Sequence, residues 1–172
     1  ELEANCRVKQ IMNLVGASGL TGRPDFSFSE INNPSYKPWE LGVDFARDLR
    51  RQIGNIDGQF TSEEIFGLLG LSVSALEDWA PVGRSKASVA EPLNNRELKY
   101  IPRKRHPDAF RFEMARFIGD YARFGGDNEW LVNTDSATAR QKYQRAFAAE
   151  FLCPINSLQN YLSGDFSESA LE

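Results

Sequence analysis

Arg116 and Asp120 stand four residues apart in the stretch Arg-Phe-Glu-Met-Ala-Arg-Phe-Ile-Gly-Asp-Tyr, residues 111–121. On a helix, residues at i and i+4 share a face, so this guanidinium and this carboxylate can meet. Basic before acidic is the weaker order, and on a solvated face such a pair contributes at most about 0.5 kcal/mol. In a partly buried cleft the same pair closes a site with a fixed cation and its counter-ion. Glu113 lies two turns before Asp120 on the same face, and Glu150 follows much later. Mg²⁺ or Mn²⁺ accepts oxygen ligands of this type, provided another element brings the carboxylates together. Arg103, Lys104 and Arg105, followed by His106 and flanked by Arg96, Lys99 and Arg111, form a basic cluster at the entry to the same stretch. Such a cluster can hold a phosphate or an acidic partner, although short charge runs mostly solvate a loop. His106 is the only histidine, and a lone imidazole does not make a zinc set. Neither Cys6 nor Cys153 has a neighbour that suggests a thiolate nucleophile, and Gly16-Ala17-Ser18-Gly19 lacks the lysine of a phosphate loop.

Two helices must position these residues. Phe110, Met114, Phe117, Ile118 and Tyr121 recur at spacings of three and four, which predicts a helix over 107–124 with one apolar face. Pro107 suits its first position and Gly125-Gly126 its end. Tyr143, Ala146, Phe147 and Phe151 mark a second helix. Asp135 or Ser136 is placed to cap it, and Pro154 to close it. A loop of about ten residues between them lets the two pack side by side.

Together the two stretches resemble the active-site helices of the ImmA/IrrE family of zinc metallopeptidases. There one helix carries Arg-Phe-x-x-Ala-His-Glu-x-Gly-His and a later one Ala-Asn-x-Phe-Ala-Ala-x-Leu-Leu-x-Pro. This chain has Arg111-Phe112, Ala115 and Gly119 at matching positions, then Phe147-Ala148-Ala149-Glu150 and Leu152-Cys153-Pro154. Ala46-Arg47-Asp48-Leu49-Arg50 is similar to the family's Ala-x-x-Leu-Arg opening. The zinc-binding residues are absent. Arg116, Phe117 and Asp120 occupy the positions of the His-Glu-x-x-His set, and Gln141 and Tyr143 are the candidates for the third ligand. Arginine stays protonated, phenylalanine is no base, and neither Gln141 nor Tyr143 is an anion at neutral pH. The resemblance therefore implies a zincin-like fold whose metal site is lost, with no cofactor and no catalytic residue. It also puts Cys153 at an apolar framework position, in the core. Family members cleave repressors of mobile elements or stress responses, often beside a helix-turn-helix domain. The implied function is a regulatory module that binds a protein or peptide partner. One alternative is an active peptidase with relocated ligands. The other is the sensor of a helix-turn-helix regulator, touching nucleic acid only through a flanking domain.

The rest of the chain frames this reading. It has 172 residues, 41% hydrophobic and 26% charged, and fits one α+β domain with a sizeable, phenylalanine-rich core. A net charge of −4 disfavours a general nucleic-acid or anionic-membrane surface. No run is apolar enough to span a membrane, and two cysteines without a secretory signal make the cytoplasm the default. Residues 1–37 read as a helix with the stripe Val8, Ile11, Met12 and Val15, then a linker carrying Phe26 and Phe28. Residues 38–172 read as the peptidase-like domain, cut short at its C-terminus; the absence of an initial Met fits a piece of a longer protein. Leu41, Phe45, Ala46, Leu49 and Ile53 mark a helix ended by Gly54, and Thr61 with Glu64 makes a capping box for the next one, ended by Gly70. Three strands are expected, at 71–73, 87–90 and 98–101. Trp79 and Trp130 read as aromatics over the edge of the core.

Overall fold

The computed structural model describes residues 18–26, 36–74, 86–93, 96–124 and 130–163. Among them lie a four-stranded antiparallel sheet and five helices, an α+β architecture. The order is β1 (Leu20–Gly22), α1 (Pro38–Ile53), α2 (Ser62–Leu68), β2 (Ala87–Pro92), β3 (Leu98–Ile101), α3 (Pro107–Phe124), β4 (Leu131–Thr134), α4 (Ala139–Leu152) and α5 (Ile155–Tyr161). The strands stand in the order β1-β3-β2-β4. Leu20 faces Tyr100, Ala90 faces both Tyr100 and Leu131, and Ser88 faces Asn133.

Helix boundaries follow local chemistry. Gly54, at φ 78°, ends α1, with the Asn55 N–H bonded to the Arg50 carbonyl. Gly70, at φ 70°, ends α2, with the Leu71 N–H bonded to the Phe66 carbonyl. Both are six-to-one closures around a left-handed residue, a conformation that glycine adopts without strain. At the start of α2, the Glu64 N–H donates to Thr61 Oγ1 and the Thr61 N–H to Glu64 Oε2, the expected reciprocal cap. Helix α3 spans the predicted residues. Helix α4 is capped by Thr138, whose Oγ1 accepts the Gln141 N–H at 3.3 Å, and not by Asp135 or Ser136. Asp135 is instead held by Arg103.

Two of the three expected strands form, as β2 and β3, and the third expectation is corrected. Residues 71–73 form no strand: Leu71 completes the closure of α2 and is buried, and Val73 is already helical. The sheet gains β4, beside the half-buried Trp130. It also gains β1, inside the stretch expected to be linker. Phe26, just beyond β1, packs edge-on against Tyr121 at 5.4 Å. The helix expected at 2–15, Cys6, Phe28, Trp79, Gly125-Gly126 and the last residues of the chain lie outside the described residues.

One face of the sheet, with Leu20, Ala90, Tyr100 and Leu131, lies in the main core beside α3. The other carries a small cluster of Val89 and Ile101 covered by Trp130 and Val132. Phenylalanines dominate the helical side, as expected: Phe60 stacks on Phe151 at 4.6 Å, and Phe151 on Phe147 at 5.4 Å. Helix α1 lies on α4 at Gly42, where a Cβ would meet the Tyr143 carbonyl oxygen at 2.5 Å. Helix α3 meets α4 at Gly119, where a Cβ would strike the Phe147 ring at 2.5 Å. These two close approaches fix where α4 sits between its neighbours.

Candidate functional site

Helices α3 and α4 do lie side by side, and their facing polar residues are buried. Arg116, on α3, is 4% exposed, Gln141 5% and Gln144 0%. The Arg116 Nη2 donates to the Thr134 carbonyl at 2.8 Å, to Gln144 Oε1 at 3.1 Å and to Gln141 Oε1. Gln141 then turns back to the sheet. Its Oε1 accepts the Thr134 N–H at 2.9 Å, and its Nε2 donates to the Val132 carbonyl at 2.8 Å. Gln144 Nε2 donates to the same carbonyl at 3.1 Å. Strand β4 is the edge of the described sheet. Its outward backbone groups would otherwise be left without partners. Three side chains from two helices take up the Thr134 N–H and carbonyl and the Val132 carbonyl, so glutamine amides and one guanidinium line this edge.

Arg116 carries a cost. Its acceptors among the described residues are neutral oxygens, and its Nε is buried there with no hydrogen-bond partner. Burial, reinforced by the charge of Arg145, lowers its pKa to about 10, which leaves it protonated at neutral pH.

The expected Arg116–Asp120 pair does not form. Asp120 is fully buried, and its carboxylate is gripped by the fork of Arg140: Nε to Oδ1 at 2.8 Å and Nη2 to Oδ2 at 2.7 Å. A bidentate guanidinium from α4 offers two aligned bonds, and the Arg116 guanidinium is committed to β4. Phe117 is fully buried against Tyr100 at 5.5 Å. Tyr143 is fully buried too, and its hydroxyl donates to the Gly119 carbonyl at 2.9 Å. Burial pushes the Tyr143 phenol well above its ordinary range. Of the five positions matched to a zinc site, Arg116 and Gln141 are joined directly, Tyr143 bonds α3 at Gly119, and Asp120 and Phe117 have separate partners.

The carboxylates considered as relocated ligands are dispersed. Glu113 accepts the hydroxyl of Ser88 and the backbone N–H groups of Arg103 at 2.9 Å and Lys104 at 3.3 Å. Glu150 accepts from Arg47 at 2.8 Å and from the Ile155 N–H at 3.3 Å. Among the described residues no three His, Cys, Asp or Glu side chains converge in a way that could hold a metal ion. The basic cluster is partly spent as well. Arg103 holds Asp135 through two bonds, at 2.9 and 2.6 Å, and lies 3.5 Å from Glu113. Its guanidinium thus already has two carboxylate neighbours. Lys104 is half-buried, Arg105 is exposed, and His106 lies 3.8 Å from Asp108.

Sequence reasoning missed the open surface. Cys153, expected in the core, is an exposed free thiol, because α4 ends one residue earlier and the chain turns at Pro154 into α5. It lines a cleft of about 610 Å³ with Asp57, Arg111, Leu152, Leu158 and Tyr161. Arg50 holds the loop that borders this cleft. It is 1% exposed and donates to the carbonyls of Ile56, Gly58 and Phe151, tying the loop after α1 to the end of α4. The guanidinium also lies 4.7 Å over the Phe60 ring. Arg50 stood in view within the Ala46–Arg50 stretch, but nothing in that motif signals a buried role. Among the described residues no helix is long and apolar enough to cross a membrane.

No protein-family model matches this chain, and neither a curated protein nor a solved structure does.

Proposed function

We propose that this chain is a non-catalytic, peptidase-like interaction module that binds a protein or peptide partner in bacterial or phage regulation. The observation that carries this reading is the fate of Arg116 and Gln141. In a catalytic zinc site the ligand positions face a coordination site left open to water and substrate. Here the matching side chains are buried and bonded to one another and to the edge of β4. That same arrangement occupies the Thr134 N–H and carbonyl and the Val132 carbonyl, which an extended peptide would need to add a strand at β4. Tyr143 and Phe117 fill the space between α3 and its neighbours. The helices keep their packing, and the polar residues between them fasten a sheet edge.

The test is a cleavage screen. The purified chain is incubated with a mixed peptide library and added Zn²⁺ or Mn²⁺, and products are read by mass spectrometry. The expected result is no cleavage above that of buffer. Cleavage that requires metal and stops on chelation would overturn the reading.

A further inference from the structure

Three guanidiniums hold the turn between β4 and α4. Arg116 Nη2 donates to the Thr134 carbonyl at 2.8 Å, and Arg145 Nη1 donates to the Ser136 carbonyl at 3.0 Å. Arg103 clasps the Asp135 carboxylate between them. The turn is compact, with the hydroxyls of Thr134 and Ser136 2.7 Å apart. Arg116 from α3 and Arg145 from α4 therefore converge on the same few atoms of backbone. After burial, the charge of Arg145 is the strongest influence on Arg116.

Charge around this turn does not balance. Arg103, Arg116, Arg145 and Lys104 lie within electrostatic reach of one another or of Asp135, and the carboxylates within the same reach are Asp135 and Glu113. Both are already engaged, Asp135 by Arg103 and Glu113 by Ser88 and the backbone N–H groups of Arg103 and Lys104. Asp120, the next carboxylate along α3, is matched by Arg140. The first turn of α4 carries no acidic residue to answer the positive end of its dipole.

Donors remain unused beside this excess. Arg116 is 4% exposed, its Nε is buried without a partner, and all its acceptors among the described residues are bonded through Nη2. Arg145 is half-buried and spends one nitrogen on Ser136; Lys104 is half-buried and has no carboxylate at ion-pair distance among the described residues. A buried cation is costly unless a charge of opposite sign answers it. We infer that Arg116, Arg145 and Lys104 form a site for one doubly charged oxyanion of the phosphate type, seated at the turn before α4. Two negative charges match the local excess, and several oxygens suit forked donors. The site holds whether or not the chain cuts peptides.

The test is equilibrium dialysis of the full chain against radiolabelled inorganic phosphate, with chloride keeping the ionic strength constant. Saturable uptake of one ion per chain is expected, with sulfate competing. Arg145→Gln and Lys104→Gln each remove one donor and should each weaken uptake about tenfold, whereas Arg51→Gln, at an exposed cation of α1, should leave it unchanged. Phosphate stabilises folded proteins in general by exclusion from their surface, so melts are compared between chains. Added phosphate should raise the melting temperature more in the unaltered chain than in Arg145→Gln. Methyl phosphate that competes as well as phosphate points to an ester as the natural ligand, and methyl phosphate that fails to compete points to the free ion; either supports the site. No saturable uptake, unchanged uptake in both donor variants, or an equal loss in Arg51→Gln would overturn it.

Discussion

Arg116 is the residue on which the reading of this molecule turns, and its environment makes an energetic statement. A guanidinium buried among neutral acceptors is expensive, and removing it leaves those acceptors stranded. Arg116→Met is therefore expected to lower unfolding stability by about 1–3 kcal/mol in urea titration. No change would mean that the desolvation cost of the charge cancels what its bonds return. Two tyrosines give a paired comparison. The Tyr100 hydroxyl is buried with no hydrogen-bond partner among the described residues, whereas that of Tyr143 donates to the Gly119 carbonyl. Tyr143→Phe should cost about 1 kcal/mol, and Tyr100→Phe should be neutral or stabilising. If both variants lost stability equally, the hydrogen bond to Gly119 would not be the difference between them. Asp135 gives a pH dependence. Its hydrogen bonds from Arg103 hold its pKa below the ordinary value. A depressed folded-state pKa stabilises the fold above the unfolded carboxylate pKa of about 3.9 and is lost as pH falls through the folded value. Asp135→Asn should thus shrink the acid-induced loss of stability in that window, read from melts across pH. At this scale the sequence revealed which positions mattered and misjudged their partners. Spacing put Asp120 within reach of Arg116, but the choice between Arg116 and Arg140 depends on which guanidinium β4 already holds.

Helices α3 and α4 were legible because their apolar residues repeat over several turns and Pro107 and Pro154 mark the entry to one and the exit of the other. Their contact was less so, since it depends on Gly119 lying under the Phe147 ring. Gly119→Ala should force that ring aside and cost about 1–3 kcal/mol. Gly42→Ala should cost at least as much, because the nearest atom is the backbone oxygen of Tyr143 and cannot rotate away. Chemical denaturation of the two variants checks both, and an unchanged midpoint for either would mean that the helices slide apart freely. The short elements were hidden for a physical reason. Strand β4 has four residues and β1 three. A stretch of that length shows no readable alternation, and both are specified by their neighbours: β4 by Gln141, Gln144 and Arg116, and β1 by its pairing with β3. Helix α5 follows Pro154 directly and buries no residue fully, so it lacks an apolar stripe to read.

For the molecule as a whole, the α+β order of helices and a small sheet followed from the sequence, while the location of the open surface did not. Sequence reading centred the function on the α3–α4 seam. Folding closes that seam with side chains, and among the described residues two open clefts lie beside the loop after α1, one of them along α5. On the proposed reading, polar side chains take the structural part that a metal ion would have at this seam. Metal analysis of the domain, purified without chelator, tests it most directly when joined to thermal melts with Zn²⁺, Mn²⁺ and a chelator. A ligand that binds only the folded state must raise the melting temperature. No stoichiometric metal and no shift in any of the melts are expected; one equivalent of bound metal, with a melting temperature that falls on chelation, would overturn the non-catalytic reading.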